Sequence, residues 1–460
     1  MRTNSNTRLA VPVMESMEER RLFATFVVTT TADTGYGSLR DALSQANRTT
    51  TADTIQFKIG TGLKTIAPKS ALPQVMNPVT LDGTTQGGYN GTKPLIEIRG
   101  DSAPSTNGFV FHAGSNTVKG LIINRFGGNG MILITKGNNV IKGNWIGLNN
   151  TGSAAAANGG QGIIVQSTYN TIGGTTLADR NVISGNKGSG IQFWTNAGSY
   201  NKIQGNYIGT DWTGNIAVGN QTSGIGSNYG GHNTIGGSVA GAGNVISGNA
   251  QDGIVLMGGG ASYNKVQGNI IGLNARGDTR LANKWYGIEI SQPNNLVGGT
   301  TPYERNIISG NEYSGVVLWK ASGSNNTVKG NYIGTDITGK KDIGNWLRGV
   351  DVSNGSSNNI IGGWNTGEGN TISGNDACGI LVYQGSNNKF IKNNVGVASD
   401  GYSKLPNFGD GFRLVQANTT TLQSNIVGYN TGYGVHNGNS IGTLLQGNKF
   451  YDDLLFLVKQ

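Results

Sequence analysis

From about Gly108 to the C-terminus, short apolar–polar alternations recur, and helical spacing is almost absent after residue 50. Strands of the form Gly-apolar-x-apolar open at Gly108, Gly130, Gly162, Gly190, Gly224, Gly253, Gly287, Gly315, Gly349, Gly379, Gly411 and Gly434. A second type, Asn-x-apolar, starts at Asn139, Asn170, Asn201, Asn233, Asn264, Asn294, Asn326, Asn358 and Asn388. A third short apolar piece follows, as in Asn181-Val-Ile-Ser or Tyr207-Ile-Gly. A period of two over three to five residues is that of a strand with one buried face.

These elements repeat. Gly-Asn pairs end at Asn144, Asn206, Asn269 and Asn331, and Asn-x-Ile-Ser-Gly-Asn ends at Asn186, Asn249, Asn311 and Asn375, both every 62 to 64 residues. Each half of that unit, about 31 residues, holds three short strands. A fixed period kept by independent motifs marks a solenoid. Three strands per turn, no helix and no leucine-rich pattern predict an all-β parallel β-helix. About twelve coils at about 4.8 Å each make a rod of about 55 Å. Gly and Asn at the corners tolerate the left-handed backbone of sharp bends. Inward corner asparagines such as Asn186, Asn249, Asn311 and Asn375 are expected to stack as an amide ladder.

Composition adds little to this. Gly contributes 77 of 460 residues and charged residues only 13%, which is corner chemistry, given so even a repeat. The net charge of +9 favours acidic partners such as uronic or sulfated glycans. No Lys/Arg run with interleaved aromatics suggests nucleic acid. Cys378 is the single cysteine, so no intrachain disulfide and no Cys/His metal spacing exist; no metal and no cofactor are expected. No apolar stretch approaches the ~20 residues of a membrane span.

The ends differ from the middle. Ser38 can cap a helix in which Leu39, Ala42, Leu43 and Ala46 share one face, and a helix just ahead of the stack is expected to plug its open end. Residues 1–24 carry Met17-Glu-Glu-Arg-Arg-Leu-Phe-Ala, which resembles the short N-terminal motif of planctomycete exported and cell-surface proteins. Gly37-Ser-Leu-Arg-Asp-Ala-Leu, Leu81-Asp-Gly-Thr-Thr-Gln and the Asn-x-Ile-Gly-Gly series resemble bacterial surface β-helix proteins, whose cap element reads Ser-Leu-Arg-Glu-Ala-Ile. The resemblance covers nearly everything after residue 25. It implies a right-handed parallel β-helix that is exported, extracellular or at the cell surface, and no particular reaction. The expected organisation is an export segment at 1–24 outside the fold, a cap with first coils at 25–100, and the repetitive β-helix at 101–460.

Along each glycine-led strand the second and fourth residues after the glycine point outward. The second positions include Gln192, Val255, Glu289, Val317, Asp351, Leu381, Arg413 and His436; the fourth include Trp194, Met257, Trp319, Ser353 and Tyr383. Spaced outward aromatics suit a sugar chain, whose C–H faces stack on rings. Two readings stay open: an exposed groove, or burial of Trp194 and Trp319 under the long loops at 209–223, 272–286, 334–348 and 396–410. Glu289 and Asp351 share a column two coils apart, about 9–10 Å, at the upper edge of inverting glycosidase spacing and beyond the retaining one. Asp211 and Asp336 recur in Gly-Thr-Asp-x-Thr-Gly and read as turn residues.

Two functions follow. The first is an exported, surface-associated solenoid that binds or scaffolds extended, possibly acidic polysaccharide without catalysis, through Gln192, Trp194, Met257, Trp319 and Tyr383. The alternative is a polysaccharide hydrolase or lyase using Glu289 and Asp351, with Arg413 against an acidic sugar.

Overall fold

The computed structural model describes residues 23–453; nearly all of the expected export segment, residues 1–22, lies outside the described residues. The chain winds into three parallel sheets of 15, 14 and 12 strands. The twelve-stranded, glycine-led sheet runs from Phe109–Phe111 to Val435–Gly438, one strand for each predicted opening glycine. The asparagine-led sheet begins earlier, at Thr25–Val28, and the third sheet at Lys64–Ile66, so the first turns lack a glycine-led strand. Each coil visits the glycine-led, asparagine-led and third sheets in order, as in Ile163–Gln166, Thr171–Gly173 and Val182–Ile183. The winding is right-handed, the hand that twisted strands impose on parallel crossovers.

Inward positions form continuous columns. Ile163, Ile191, Ile225, Ile254, Ile288, Val316, Val350, Ile380 and Phe412 are fully buried and belong to one core. At the start, Leu39–Ala46 is a helix; the Ser38 side chain accepts from the Asp41 amide, and Leu39, Ala42, Leu43 and Ala46 are buried. Arg40 donates to the carbonyls of Ala71 and Ser70, at 2.6 and 3.0 Å, tying the helix across the first turns.

The amide ladder is more extensive than the repeats indicate. Asn158, Asn186, Asn220, Asn249, Asn283, Asn311, Asn345, Asn375, Asn407 and Asn430 stand one per coil, each Nδ2 donating to the next Oδ1 at 2.9–3.0 Å. Similar columns fill the other two corners, as in Asn139–Asn170–Asn201 and Asn181–Asn206–Asn244–Asn269. The Asn-x-apolar series needs one correction. Where two asparagines adjoin, Asn295 and Asn359 occupy the ladder, while Asn294 and Asn358 take the left-handed bend just before it, at φ 62° and 57°. A bend residue and a ladder residue are both well served by Asn, so composition does not distinguish them.

Candidate functional site

The glycine-led strands carry the predicted columns in register. Gln192, Gly226, Val255, Glu289, Val317, Asp351, Leu381, Arg413 and His436 are successive partners. Trp319, Ser353, Tyr383 and Val415 form the parallel row. Glu289 and Asp351 thus flank Val317, two strand spacings or about 9.6 Å apart along the rod.

The loop-burial expectation fails for a positional reason. Every second coil ends its third-sheet strand in a small hairpin, with bridges Leu148–Ala155, Thr210–Ala217, Leu273–Arg280, Thr335–Asp342 and Val397–Lys404. Those hairpins fold back on the outer face of the third sheet. They cover Trp145, Tyr207 and Val245, which form a second apolar cluster with Trp212. Successive hairpins are joined: the amides of Trp212, Ala275, Ile337 and Ser399 donate to the carbonyls of Gly152, Gly214, Gly277 and Gly339 at 2.9–3.0 Å. Asp211 and Asp336 are turn residues within them, the first accepting two backbone amides at 3.0 Å and the second three at 3.1–3.2 Å. Trp194, on a different face, stays 47% exposed, and Trp319 is half-buried.

The open part of that face is a cleft of about 900 Å³ over the coils from Tyr286 to Arg413. Its floor includes Leu381 and Asp351. One edge carries Trp319 and Tyr383, four residues after their glycines; the other carries Tyr286 and Phe408, which precede theirs. Arg413 is exposed and makes no ion pair among the described residues. Asp351 is only 4% exposed. Its Oδ2 accepts from Arg348 at 2.8 Å, and Ser353 donates to its Oδ1. Asp410 Oδ2 sits 3.1 Å from His436 Nδ1 at the far end.

Upstream, Glu289 is half-buried beside Lys320. Burial raises its carboxyl above the usual range, against the opposing influence of Lys320. Asp252 is pushed up to about 7 by burial and by the Glu289 charge. Burial and Asp351 raise the Tyr286 phenol. Cys378 lines the cleft, but burial pushes its thiol up to about 11, so it is no nucleophile at neutral pH.

The cleft therefore gathers Trp319, Asp351, Tyr383 and Arg413, but neither Glu289, Met257, Trp194 nor Gln192 lines it. Trp194 lies four coils from Trp319, about 19 Å. Gln192 is 6% exposed, and its amide is held by the Ser189 hydroxyl and the Phe193 carbonyl. Tyr286, Arg348, Phe408 and Asp410 were not singled out from the sequence. Their signal was their place one to three residues before an opening glycine, which lies beside the outward column once the coils are stacked. Among the described residues, no three His, Cys, Asp or Glu side chains converge as a metal site, and no helix is long and apolar enough to cross a membrane.

The fold and this face define a right-handed parallel β-helix with an open cleft on its glycine-led face. Solved structures of similar fold include the periplasmic alginate epimerase AlgG, at 14% identity and TM-score 0.39, covering 84% of this chain and 78% of that one. The A-module of the Azotobacter vinelandii mannuronan C-5 epimerase AlgE4 matches at 13% and 0.37, over 93% and 97%. The Dettilon tailspike protein matches at 15% and 0.28, over 93% and 68%. No protein-family model and no curated protein matches the chain. Likeness at this level does not extend to chemistry.

Proposed function

We propose that this chain is an exported, surface-associated β-helix that binds an extended, acidic polysaccharide along its glycine-led face, without cleaving it. The observation that carries the proposal is the unpaired Arg413 in a cleft edged on both sides by aromatic rings. Rings on opposite edges grip the two faces of a pyranose chain, and a free guanidinium pairs a uronate carboxylate bidentately. A volume near 900 Å³ accommodates a few sugar units. Support for export is the Met17-Glu-Glu-Arg-Arg-Leu-Phe-Ala motif.

Catalysis is the second reading, and one observation favours it. Glu289 and Asp351 share a column in unlike environments, one carboxyl raised by burial and the other held beside Arg348. Carboxyls held in unlike environments are how glycosidases divide acid and base roles. Against it, both Asp351 oxygens are already engaged and Glu289 stands outside the cleft.

The experiment is a glycan array followed by reducing-end assays and assays for unsaturated ends on every hit. Binding without new ends, lost in Trp319→Ala and Arg413→Ala, is the expected result. Chain cleavage abolished by Glu289→Gln or Asp351→Asn would replace binding with hydrolysis.

A further inference from the structure

The asparagine-led face carries a feature that the cleft does not use. The residue just before the corner ladder adopts left-handed backbone in coil after coil, with φ between 51° and 62°. Asn138, Asn294, Asn325, Asn358 and Asn387 fill it in five coils, as expected of the residue that best tolerates this conformation. Four consecutive coils instead place Tyr169, Tyr200, His232 and Tyr263 there. Their rings stack in one column, with centroids 5.3, 4.7 and 5.0 Å apart. All four side chains are exposed. Bulky rings at a bend that Asn fills with less strain call for a compensating role.

Two residues further along, each coil starts its asparagine-led strand. There Thr171, Lys202, Thr234 and Lys265 are register partners. Lys202 and Lys265 are exposed and make no ion pair among the described residues. The carboxylates at the opposite edge of this sheet are engaged: Asp179 with Lys142 at 2.9 Å, Glu368 with Lys329 at 2.8 Å, and Glu304 with the Thr300 and Thr301 amides. The two free ammonium groups therefore recur every second coil, about 9.6 Å, beside a ridge of ring edges and phenol hydroxyls.

We propose that Tyr169, Tyr200, His232, Tyr263, Lys202 and Lys265 form a second binding strip, for a linear anionic glycan lying along the rod. The charge arrangement calls for a polyanion. Single-stranded nucleic acid is disfavoured because its bases need free π-faces, and here the faces are closed against one another. Ring edges and hydroxyls remain to meet sugar hydroxyls, and the ammonium groups meet uronate or sulfate.

The test uses the full chain carrying Trp319→Ala and Arg413→Ala, so that loss of the cleft and loss of the strip are read separately. Polygalacturonate, dextran and oligo-dT are titrated by calorimetry and by fluorescence at several salt concentrations. Polygalacturonate is expected to bind, dextran not, and oligo-dT more weakly. Adding Lys202→Gln and Lys265→Gln weakens polygalacturonate about tenfold and lowers the log–log salt slope by roughly 1 to 2. Tyr200→Asn with Tyr263→Asn, which suits the bend and preserves the fold, also weakens it. Unchanged affinity in the lysine variant, no polygalacturonate binding at all, or oligo-dT binding as tightly at the same residues would overturn the strip.

Discussion

Arg348 Nη1 donates to Asp351 Oδ2 at 2.8 Å, across three residues at the corner where the glycine-led strand begins. Arg348 is about one-third exposed and Asp351 almost closed, and both line the cleft. Replacing Arg348 by Ala leaves a buried carboxylate with only Ser353. The expected cost is about 1–3 kcal/mol, seen as a lower thermal midpoint. Asp351→Asn keeps an acceptor for Ser353 and costs less. Equal losses in the two variants would show that Asp351 does not depend on its cation.

The Asn249 side chain is fully buried; it accepts the Asn220 amide and side chain and donates to Asn283 Oδ1 at 2.9 Å. Asn249→Ala removes one rung and leaves the buried Asn220 backbone amide without its acceptor, although the Asn220 side chain keeps the Ile183 carbonyl and Asn283 keeps the Asn249 backbone amide. A loss of about 1–3 kcal/mol follows. Because each coil touches only its neighbours, hydrogen exchange should quicken first within a coil or two of Gly253. Exchange quickening uniformly over the rod would refute this local picture.

Asp252 supplies a pH dependence with a definite sign. Its folded carboxyl titrates near 7 against an ordinary value of 3.8. The folded state therefore binds this proton more tightly than the unfolded one. Its contribution is fully present below about pH 4 and is lost as pH rises through about 7. Asp252→Asn, which keeps the acceptor for the Tyr286 amide, should flatten stability between pH 4 and 8 and raise it at the upper end. Urea melts at four pH values decide the matter; a steeper profile in the variant would contradict the assignment.

Gly209 follows a third-sheet strand at φ +93°, and a Cβ there would stand 2.3 Å from the Ser247 carbonyl oxygen. Gly209→Ala should cost on the order of 3 kcal/mol. Gly259 has no atom within 4 Å of the same added carbon and no left-handed φ, so Gly259→Ala should be nearly neutral. Comparable melting shifts for both would show that the close coil-to-coil approach is not what Gly209 serves.

Much of the architecture was legible because a solenoid makes sequence spacing equal spatial spacing. A residue one repeat on lies one or two strands away, so sequence spacing alone puts Glu289, Val317 and Asp351 in one column. The same logic found the rung asparagines; the Ser38 cap was legible separately, from capping chemistry and the shared apolar face of Leu39, Ala42, Leu43 and Ala46. It failed where two meanings share one residue type, as at Asn294 and Asn295. It also failed for the loops, whose length was visible but whose direction was not. Their covering of Trp145 and Tyr207 rather than Trp194 follows from the corner they leave, at the end of the third sheet.

The chain's own periodicity thus determined the rod, its twelve glycine-led strands, its inward columns and the row in which outward side chains stand, since strand alternation and hydrogen-bonded stacking admit a single register once one face must be buried. Only the tertiary structure decided which outward residues are open. Gln192 and Asp351 occupy the same kind of position as Arg413, yet Ser189 and Arg348, each just before the opening glycine of the same strand, engage the first two, while the third is left free. The difference is one of side-chain direction: Asp410, which precedes the glycine of the Arg413 strand, turns to His436 of the next coil instead, and no spacing along the chain encodes that choice.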